Sequence, residues 1–347
     1  MPKKRVAVAM SGGVDSSLAA ALLKQAGYDV FGIHMQLWSD PNLARTMSDL
    51  EHTCQVLDIP FYKLDLETEF HRLVIDYFCR EYSLGRTPNP CIVCNQHIKF
   101  GLLLNRTLEM GAEYLATGHY ARVERSPDGY RLVKAADRGK DQSYFLYTLG
   151  QRQLKHLLLP LSEFSKQKVR RLAAEMGLPT ASRHESQDVC FIPDNDYRSF
   201  VAECIPLKAG EIVDITGKVL GRHGGLARYT VGQRQGLGLA SAQQLHVLKL
   251  DAATNRLVVG TKDQLLHNVL IASKLRWVSG KALREPISIT VKVRYRAPEV
   301  AAEIRPNDNM AEVRFVEPQS AIAPGQSVVF YQGDVVLGGG VIDAVLH

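Results

Sequence analysis

The sequence has few cysteines, few aromatic residues and no long apolar run. Six cysteines in 347 residues are too sparse for the disulfide framework of a small secreted domain, and aromatic residues make up only 7%. No apolar run approaches the roughly 20 residues that span a bilayer, so we expect no membrane partner. The basic start, residues 1–5, leads directly into a buried-strand pattern rather than a signal peptide, so we expect a cytoplasmic protein.

The charge balance suits a polyanionic partner. There are 42 Lys and Arg residues against 36 Asp and Glu residues, a formal net charge of +6, which is compatible with binding of nucleic acid. The basic residues are concentrated in two stretches, one with Lys166, Lys168, Arg170, Arg171, Arg183 and His184, the other with Arg222, Arg228 and Arg234. The solvated face of a helix explains the first stretch equally well, and both alternatives stay open.

The periodicity of apolar residues divides the chain into three parts. In residues 1–204, strand-like apolar runs alternate with amphipathic stretches, which predicts an α/β domain with a parallel sheet. Strands are expected at 6–10, 29–37, 61–65 and 114–117, and helices at 17–25, 43–57, 67–80, 100–110 and 166–176. Residues 205–272 are rich in glycine turns, and residues 273–347 alternate as antiparallel strands. We therefore expect two small, mostly β domains, the last a β-barrel.

The string SGGVDSS, residues 11–17, follows the first apolar strand and opens a helix. Such a turn holds phosphate, because the amides and the dipole of the helix N-terminus attract anions. We expect positive φ at Gly12 and Gly13, and a helix cap from Ser16 or Ser17. The string lacks the lysine of a Walker loop and resembles the pyrophosphatase-type loop of adenylate-forming enzymes. That resemblance implies ATP and Mg²⁺ as cofactors, with Asp15 near the pyrophosphate; an ordinary capped turn is the alternative.

Cys91 and Cys94 form a CxxC pair that follows two prolines. A CxxC after a rigid loop presents two thiols on one side, which suits redox chemistry, a metal or an iron–sulfur cluster. A four-cysteine zinc site would need a second pair, and no other CxxC occurs. Cys190 also lies in a short, turn-bounded stretch. The remaining three are predicted to be small buried packing residues: Cys54, Cys79 and Cys204.

Six strings occur in an order typical of one enzyme family. They are SGGVDSS, TPNPCIVCNQHIKF, ATGHYAR, KDQSYFLY, ESQDVCFIP and YTVGQRQGLG. On these motifs the chain resembles the bacterial-type tRNA-uridine 2-sulfurtransferases, and the resemblance covers essentially the whole chain. It implies an N-terminal domain of the adenine nucleotide alpha hydrolase-like type. It also implies ATP-dependent 2-thiolation of the wobble uridine of tRNA, in which the C2 oxygen is adenylated and then replaced by sulfur, with release of pyrophosphate and AMP.

The resemblance assigns the sulfur chemistry to two cysteines. It implies that Cys190 carries the terminal persulfide sulfur and that Cys94 is its catalytic partner, the pair closing a disulfide as sulfur is transferred. Our own inference is a lowered pKa of the Cys94 thiol, caused by Lys99, His97 and the start of a nearby helix. The resemblance assigns ATP binding to the loop and to two later strand ends: Ala9, Met10, Ser11, Gly12, Gly13, Val14, Asp15, Ser16, Met35 and Gly118.

Contacts with tRNA follow from the same resemblance. The residues concerned are Asn89, Pro90, Cys91, His119, Lys140, Asp141, Gln142, Arg294 and Tyr295. The first three would line the pocket of the target base, and His119 would stack or hydrogen-bond near it. Flipping a base out of its loop costs about a few kcal/mol, which stacking and edge contacts offset. The implied partners are tRNAs for glutamate, glutamine and lysine, and a sulfur-donor protein.

One position departs from the family pattern. Many members have an aspartate, a plausible proton carrier, where this chain has Cys91. Together with Cys94 and Cys190 this third thiol could hold a 4Fe-4S cluster with one iron open for sulfide, or it could be a spare thiol beside a persulfide pair.

Two other functions also stay open. An adenylating amide ligase of the same loop class would not need these cysteines, and a non-catalytic tRNA-binding module would leave both the loop and the cysteines without a role.

Overall fold

The structure is a computed structural model that describes residues 3–39, 43–181, 189–192, 196–240 and 243–346. Two members of the first basic stretch, Arg183 and His184, lie outside the described residues, as do residues 185–188 and 193 of the ESQDVCFIP string. In the described part of the chain, no helix is both long and apolar enough to cross a membrane.

The N-terminal part is built on a parallel sheet, as the periodicity predicts. Its described strands are β1 Arg5–Ala9, β2 Asp29–Gln36, β3 Phe61–Asp65, β4 Tyr114–Ala116, β5 Ala121–Ser126, β6 Gly129–Lys134 and β7 Leu157–Leu158. Five of them pair in the order β3-β2-β1-β4-β7, all parallel. The central strand β1 is buried on both faces, since Ala7 packs into one apolar cluster while Val6 and Val8 pack into another.

The helices agree with the prediction in position but not in every boundary. They are α1 Val14–Gln25, α2 Leu43–Val56, α3 Glu67–Phe70, α4 Asp76–Ser83, α5 Pro90–Val93, α6 Leu104–Glu109, α7 Gln151–Lys155, α8 Lys166–Glu175 and α9 Tyr197–Cys204. Two π-helical segments, His71–Ile75 and Cys94–Leu103, make continuous rods of α3 with α4 and of α5 with α6. The helix expected to start at residue 100 therefore starts ten residues earlier, at Pro90, a position that a first helical turn tolerates.

The central and C-terminal parts are mostly β, as predicted. The central strands are β8 Gly210–Val213, β9 Val219–His223, β10 His246–Asp251 and β11 Arg256–Gly260, in the order β10-β11-β8-β9. The last strands are β12 Leu266–Trp277, β13 Ile287–Lys292, β14 Val300–Asn307, β15 Met310–Ser320, β16 Ser327–Gln332 and β17 Val335–Leu346. Pairing of β12 with β17 closes them into an antiparallel barrel. The boundary expected at 272/273 falls inside β12, so we propose Leu266 as the first residue of the barrel.

Several contacts tie the barrel to the N-terminal part, and two of them position the hairpin β5–β6 and the loop before the CxxC pair. The hairpin β5–β6, which the periodicity did not predict, adds to barrel strand β17 through the pairs Val133–Val335 and Leu132–Val336. The loop that precedes the CxxC pair also lies against the barrel, since Thr87 N donates to Pro324 O at 2.8 Å and Gln326 Nε2 donates to Thr87 O at 3.0 Å. The barrel therefore helps to position that loop.

Candidate active site

The phosphate loop lies at the carboxyl edge of the parallel sheet, where ligands bind in open α/β folds. Gly12 has a φ of +78°, as expected, but Gly13 has a φ of −85° and the prediction for it is wrong. The predicted cap is also wrong, because helix α1 begins at Val14 and the hydroxyls of Ser16 and Ser17 instead donate to Gly13 O at 3.0 and 3.2 Å. Both bonds lie within the first turn of α1.

Two further strand ends meet this loop. Gly118 follows β4 and lies so close that a Cβ there would be 2.8 Å from Asp15 C and 2.9 Å from Ser16 N. Met35 lies near the end of β2, half-buried, next to the edge that β1 and Met10 form. The residues with predicted ATP contacts, from Ala9 to Ser16 with Met35 and Gly118, are thus brought to one edge of the sheet. Their contacts with a nucleotide stay a prediction.

Two side chains that the sequence did not connect with the loop hold the Asp15 carboxylate. Lys166 Nζ donates to Asp15 Oδ1 and Oδ2 at 2.7 and 2.6 Å, and the Tyr120 hydroxyl donates to Oδ1 at 2.8 Å. The side chain of Lys166 is 11% exposed, so the solvated-face interpretation is wrong for this member of the basic stretch. Tyr120 offered a signal in the ATGHYAR string, whereas Lys166 offered none beyond its charge.

The three cysteines singled out in the sequence are brought together. Cys94 is buried, whereas Cys91 and Cys190 reach solvent. Although part of Cys190 reaches solvent, the protein atoms around its thiol displace water and raise the pKa to about 12, a value to which the negative charge of ionised Cys94 and Cys91 also contributes. Cys94 also shares one apolar cluster with Phe191 and Ile192, the two residues that follow Cys190, although Cys190 is 96 positions from Cys94 in the sequence. In the described part of the chain, no three His, Cys, Asp or Glu side chains are arranged to hold a metal ion.

The predicted lowering of the Cys94 pKa is wrong in its net direction. Burial raises the pKa of Cys94 to about 11, and Lys99 counteracts this only in part, because its ammonium favours the thiolate. Burial likewise raises the pKa values of Cys91 and Cys190, and Lys99 again counteracts this only in part. The pKa of His97 itself is lowered, by burial and by Arg276, which favours its neutral form. Lys99 is therefore the cation that the three thiols share.

An aromatic cluster fixes the segment that carries Cys190. The ring of Phe191 lies 5.6 Å from Phe70, 5.5 Å from Phe78 and 5.3 Å from Phe200, centroid to centroid. Phe191 and Ile192 are both buried. Edge-to-face contacts of this kind stabilise by about 0.5–1.5 kcal/mol each beyond the buried area. Sequence reasoning missed this anchor, although the pattern Cys-Phe-Ile-Pro placed two large apolar residues next to the thiol.

The residues with predicted tRNA contacts differ in how freely they could reach a ligand. His119 is half-buried, with Nδ1 2.7 Å from Thr117 Oγ1, and burial followed by Lys99 lowers its pKa well below the usual value. Its imidazole is therefore neutral at pH 7, a form that can stack on or hydrogen-bond to a base. Pro90 is buried and Asn89 half-buried at the start of α5.

Other members of that group are engaged within the chain. The Asp141 carboxylate accepts from Ala135 N at 2.9 Å and from Ser143 Oγ at 2.7 Å. Gln142 Oε1 accepts from Tyr120 N at 3.0 Å and so supports the turn that carries His119. The half-buried Arg294 and Tyr295 lie in the barrel, where Arg294 donates to Val231 O at 3.0 Å and the Tyr295 ring lies 4.4 Å from Phe145. Contacts of tRNA with these residues, and with Lys140, stay predictions.

The other cysteines follow the packing prediction in two cases out of three. Cys54 and Cys79 are buried in apolar clusters, as expected. Cys204 is exposed at the end of α9, so the prediction of a buried packing residue is wrong there.

The parallel sheet, its phosphate loop and the two further strand ends are the parts of an α/β nucleotide-binding domain, and the matching family model is that of a HUP domain. Family models match three parts of the chain: a tRNA methyl transferase HUP domain matches residues 4–194, a tRNA methyl transferase PRC-barrel domain residues 198–261, and an aminomethyltransferase β-barrel domain residues 267–342. The predicted fold class, an α/β domain followed by two small β domains, is confirmed.

Full-length relatives specify the family. The chain is 50% identical over 362 aligned residues to a tRNA-specific 2-thiouridylase of Geotalea uraniireducens, covering 99% of this chain and 96% of that protein. It is 48% identical to the Geobacter metallireducens 2-thiouridylase, with 99% and 98% covered, and 47% identical to one from Caldanaerobacter subterraneus, with 98% of each covered. The chain therefore belongs to the tRNA-specific 2-thiouridylase family, a family of tRNA sulfurtransferases, and the resemblance drawn from the six motifs is confirmed.

Proposed function

We propose that this protein uses ATP to convert the wobble uridine of tRNA into 2-thiouridine. A carbonyl oxygen is a poor leaving group, so ATP would first adenylate the C2 oxygen of the uridine and release pyrophosphate. Sulfur would then attack C2, and AMP would leave with the oxygen. The observation that carries this proposal is the close contact of Gly118 with the phosphate loop. The next residue, His119, has its ring 5.7 Å from Phe100, on the helical segment that carries Cys94 and Lys99.

The loop suits the activating step. Helix α1 points its N-terminus at the loop, where its first-turn amides and its dipole favour the phosphates. Mg²⁺ prefers one or two carboxylates combined with phosphate oxygens and waters. Asp15, the acidic residue of the SGGVDSS string, fits such a site only together with the triphosphate, because no cluster of three ligating side chains is present among the described residues. The ion would neutralise phosphate charge as pyrophosphate departs.

The thiols suit the sulfur-transfer step. The terminal sulfur of a Cys190 persulfide would bond to C2, and the Cys94 thiolate would attack the inner sulfur of Cys190. That attack breaks the persulfide S–S bond, leaves the outer sulfur on the uridine and forms a Cys94–Cys190 disulfide, which a thiol reductant must reopen. Cys94 has to lose a proton for this attack, and Lys99 is the cation that favours its thiolate.

A 4Fe-4S cluster on Cys91, Cys94 and Cys190 is the second candidate for the sulfur carrier. The presence of Cys91 favours it, since three thiols are the donors that such a cluster takes. In the described residues the side chains do not form a metal-holding arrangement. We therefore derive no step through a cluster.

One assay tests the proposed function. The protein is incubated with ATP, unmodified tRNA and a sulfur-donor protein, the tRNA is digested, and the nucleosides are identified by mass spectrometry. We expect 2-thiouridine in tRNAs for glutamate, glutamine and lysine, with one AMP and one pyrophosphate formed for each sulfur inserted. Adenylate formation without 2-thiouridine would favour the amide ligase, and binding of tRNA without AMP formation would favour the binding module.

The Asp15→Ala variant separates activation from tRNA binding. We expect it to abolish AMP formation, because the carboxylate next to the pyrophosphate is lost, while the affinity for tRNA stays nearly unchanged. Loss of tRNA binding with normal AMP formation would reverse the assignment of Asp15.

A further inference from the structure

The ion pair between Lys166 and Asp15 joins two distant parts of the N-terminal domain. Lys166 is the first residue of α8, and Asp15 lies in the first turn of α1. The ammonium is within 2.7 Å of both carboxylate oxygens, and its side chain is 11% exposed, against 31% for Asp15. A charge so well shielded from solvent interacts more strongly than a surface charge.

The surrounding packing holds the ammonium over the phosphate loop. Helices α1 and α8 share one apolar cluster, to which Val14, Leu18, Val169 and Ala173 belong. At the start of α8, Lys166 N donates to Asp137 Oδ2 at 3.1 Å, which fixes the backbone of Lys166 itself. The side chain therefore extends from a rigid helix start toward the loop. This arrangement differs from that of Lys168 two residues on, whose exposed ammonium lies 4.5 Å from the Phe164 ring.

We propose that Lys166 is a phosphate-binding residue of the nucleotide site, which pairs with Asp15 in the free protein and with the triphosphate of ATP in the complex. This inference rests on the proposed function, since it needs ATP at the SGGVDSS loop. A Walker loop contains its own phosphate-binding lysine, and the SGGVDSS loop does not. Lys166 would supply that positive charge from helix α8.

Competition for the Asp15 carboxylate drives the exchange. Mg²⁺ binds through carboxylate and phosphate oxygens, so the metal–nucleotide complex takes Asp15 oxygens that Lys166 occupies in the free protein. The released ammonium then faces phosphate oxygens at the same place. When the C2 oxygen of the uridine attacks the α-phosphorus, the bond to the bridging oxygen breaks and pyrophosphate leaves with the electron pair. Lys166 would remain protonated and stabilise that charge by hydrogen bonds.

Equilibrium binding of MgATP and of magnesium pyrophosphate tests this role without turnover. We expect Lys166→Met to weaken binding of both probes by about tenfold to a hundredfold, the range for losing one charge-assisted hydrogen-bonded contact. Lys168→Met, on the same helix, removes the same charge and should bind as the wild type does. Lys166→Arg keeps the charge and should recover most of the affinity. Thermal unfolding of each variant shows whether it is folded.

A double variant separates phosphate binding from a purely structural ion pair. In Asp15→Asn with Lys166→Met, both charges are removed and the side-chain sizes are nearly kept. The reference for the double variant is Asp15→Asn alone, which lacks only the carboxylate. If Lys166 only neutralises Asp15, the double variant binds magnesium pyrophosphate as Asp15→Asn does and the inference is overturned, as it is if Lys166→Met binds like Lys168→Met. A further tenfold to hundredfold weakening of the double variant below Asp15→Asn supports it. A wild-type protein that binds no MgATP would overturn the proposed function itself, a result distinct from both.

Discussion

Gly118→Ala adds one methyl group at the point where the turn after β4 touches the phosphate loop, and we expect it to reduce both stability and activity. The added Cβ would lie 2.8 Å from Asp15 C and Cβ and 2.9 Å from Ser16 N. Carbon atoms attract at about 3.5–4.0 Å, so the turn after β4 and the phosphate loop would have to separate by roughly 0.7–1 Å. Two of the three atoms met are backbone atoms, so no side-chain rotation relieves the clash. Gly118 is not among the glycines with positive φ, so the effect is steric alone.

The separation should reduce both stability and activity. Overpacking of this kind costs about 1–3 kcal/mol in the free energy of unfolding, measured by urea denaturation. A displacement of about 1 Å in a reacting geometry costs on the order of a hundredfold in rate, measured as 2-thiouridine formed per minute.

Gly139→Ala is the matched control for this prediction. It lies in the same domain, and its added Cβ would meet its nearest neighbour at 3.5 Å, an ordinary contact. We expect this variant to unfold and to thiolate as the wild type does. Wild-type stability and thiolation rate in Gly118→Ala would refute the proposed contact between the turn and the loop.

Three further predictions concern the thiols. Cys190→Ser should abolish 2-thiouridine formation yet still form AMP with tRNA, whereas Cys54→Ser should keep full activity; equal losses in both would point to misfolding. If a cluster forms, wild-type protein reconstituted without oxygen should bind about four irons per chain, and Cys91→Ser should lose both the iron and the activity. Near-normal thiolation by Cys91→Ser in air, with a persulfide donor, would contradict the cluster hypothesis. With a pKa of about 11, Cys94 should alkylate slowly at pH 7, since about one thiol in ten thousand is ionised, and faster as the pH rises toward 11. Lys99→Met removes the cation that lowers this pKa, so the pH profile of alkylation should shift upward; an unchanged profile would contradict the role of Lys99.

Local sequence determined the framework of this protein. The buried run of β1, the glycine turn and the opening of α1 are consecutive in the chain, so periodicity and turn chemistry suffice to place a phosphate loop at the edge of a parallel sheet. The motifs likewise identified the family. The prediction of the helix cap was wrong because the hydroxyls of Ser16 and Ser17 have two possible hydrogen-bond partners. They could accept from the first amides of α1 or donate to Gly13 O, and they donate to Gly13 O.

Only the tertiary structure decided how the site is charged and assembled. Lys166 and Asp15 are 151 positions apart, and no local pattern indicates that α8 packs against α1 and brings them together. The pKa of Cys94 depends on how much protein surrounds it, and burial outweighs the Lys99 charge that is visible in the sequence. The attachment of hairpin β5–β6 to barrel strand β17, some 200 residues further along the chain, likewise has no local signal. Contacts of this kind arise from the packing of whole elements, and packing is a property of the folded chain rather than of any short segment of it.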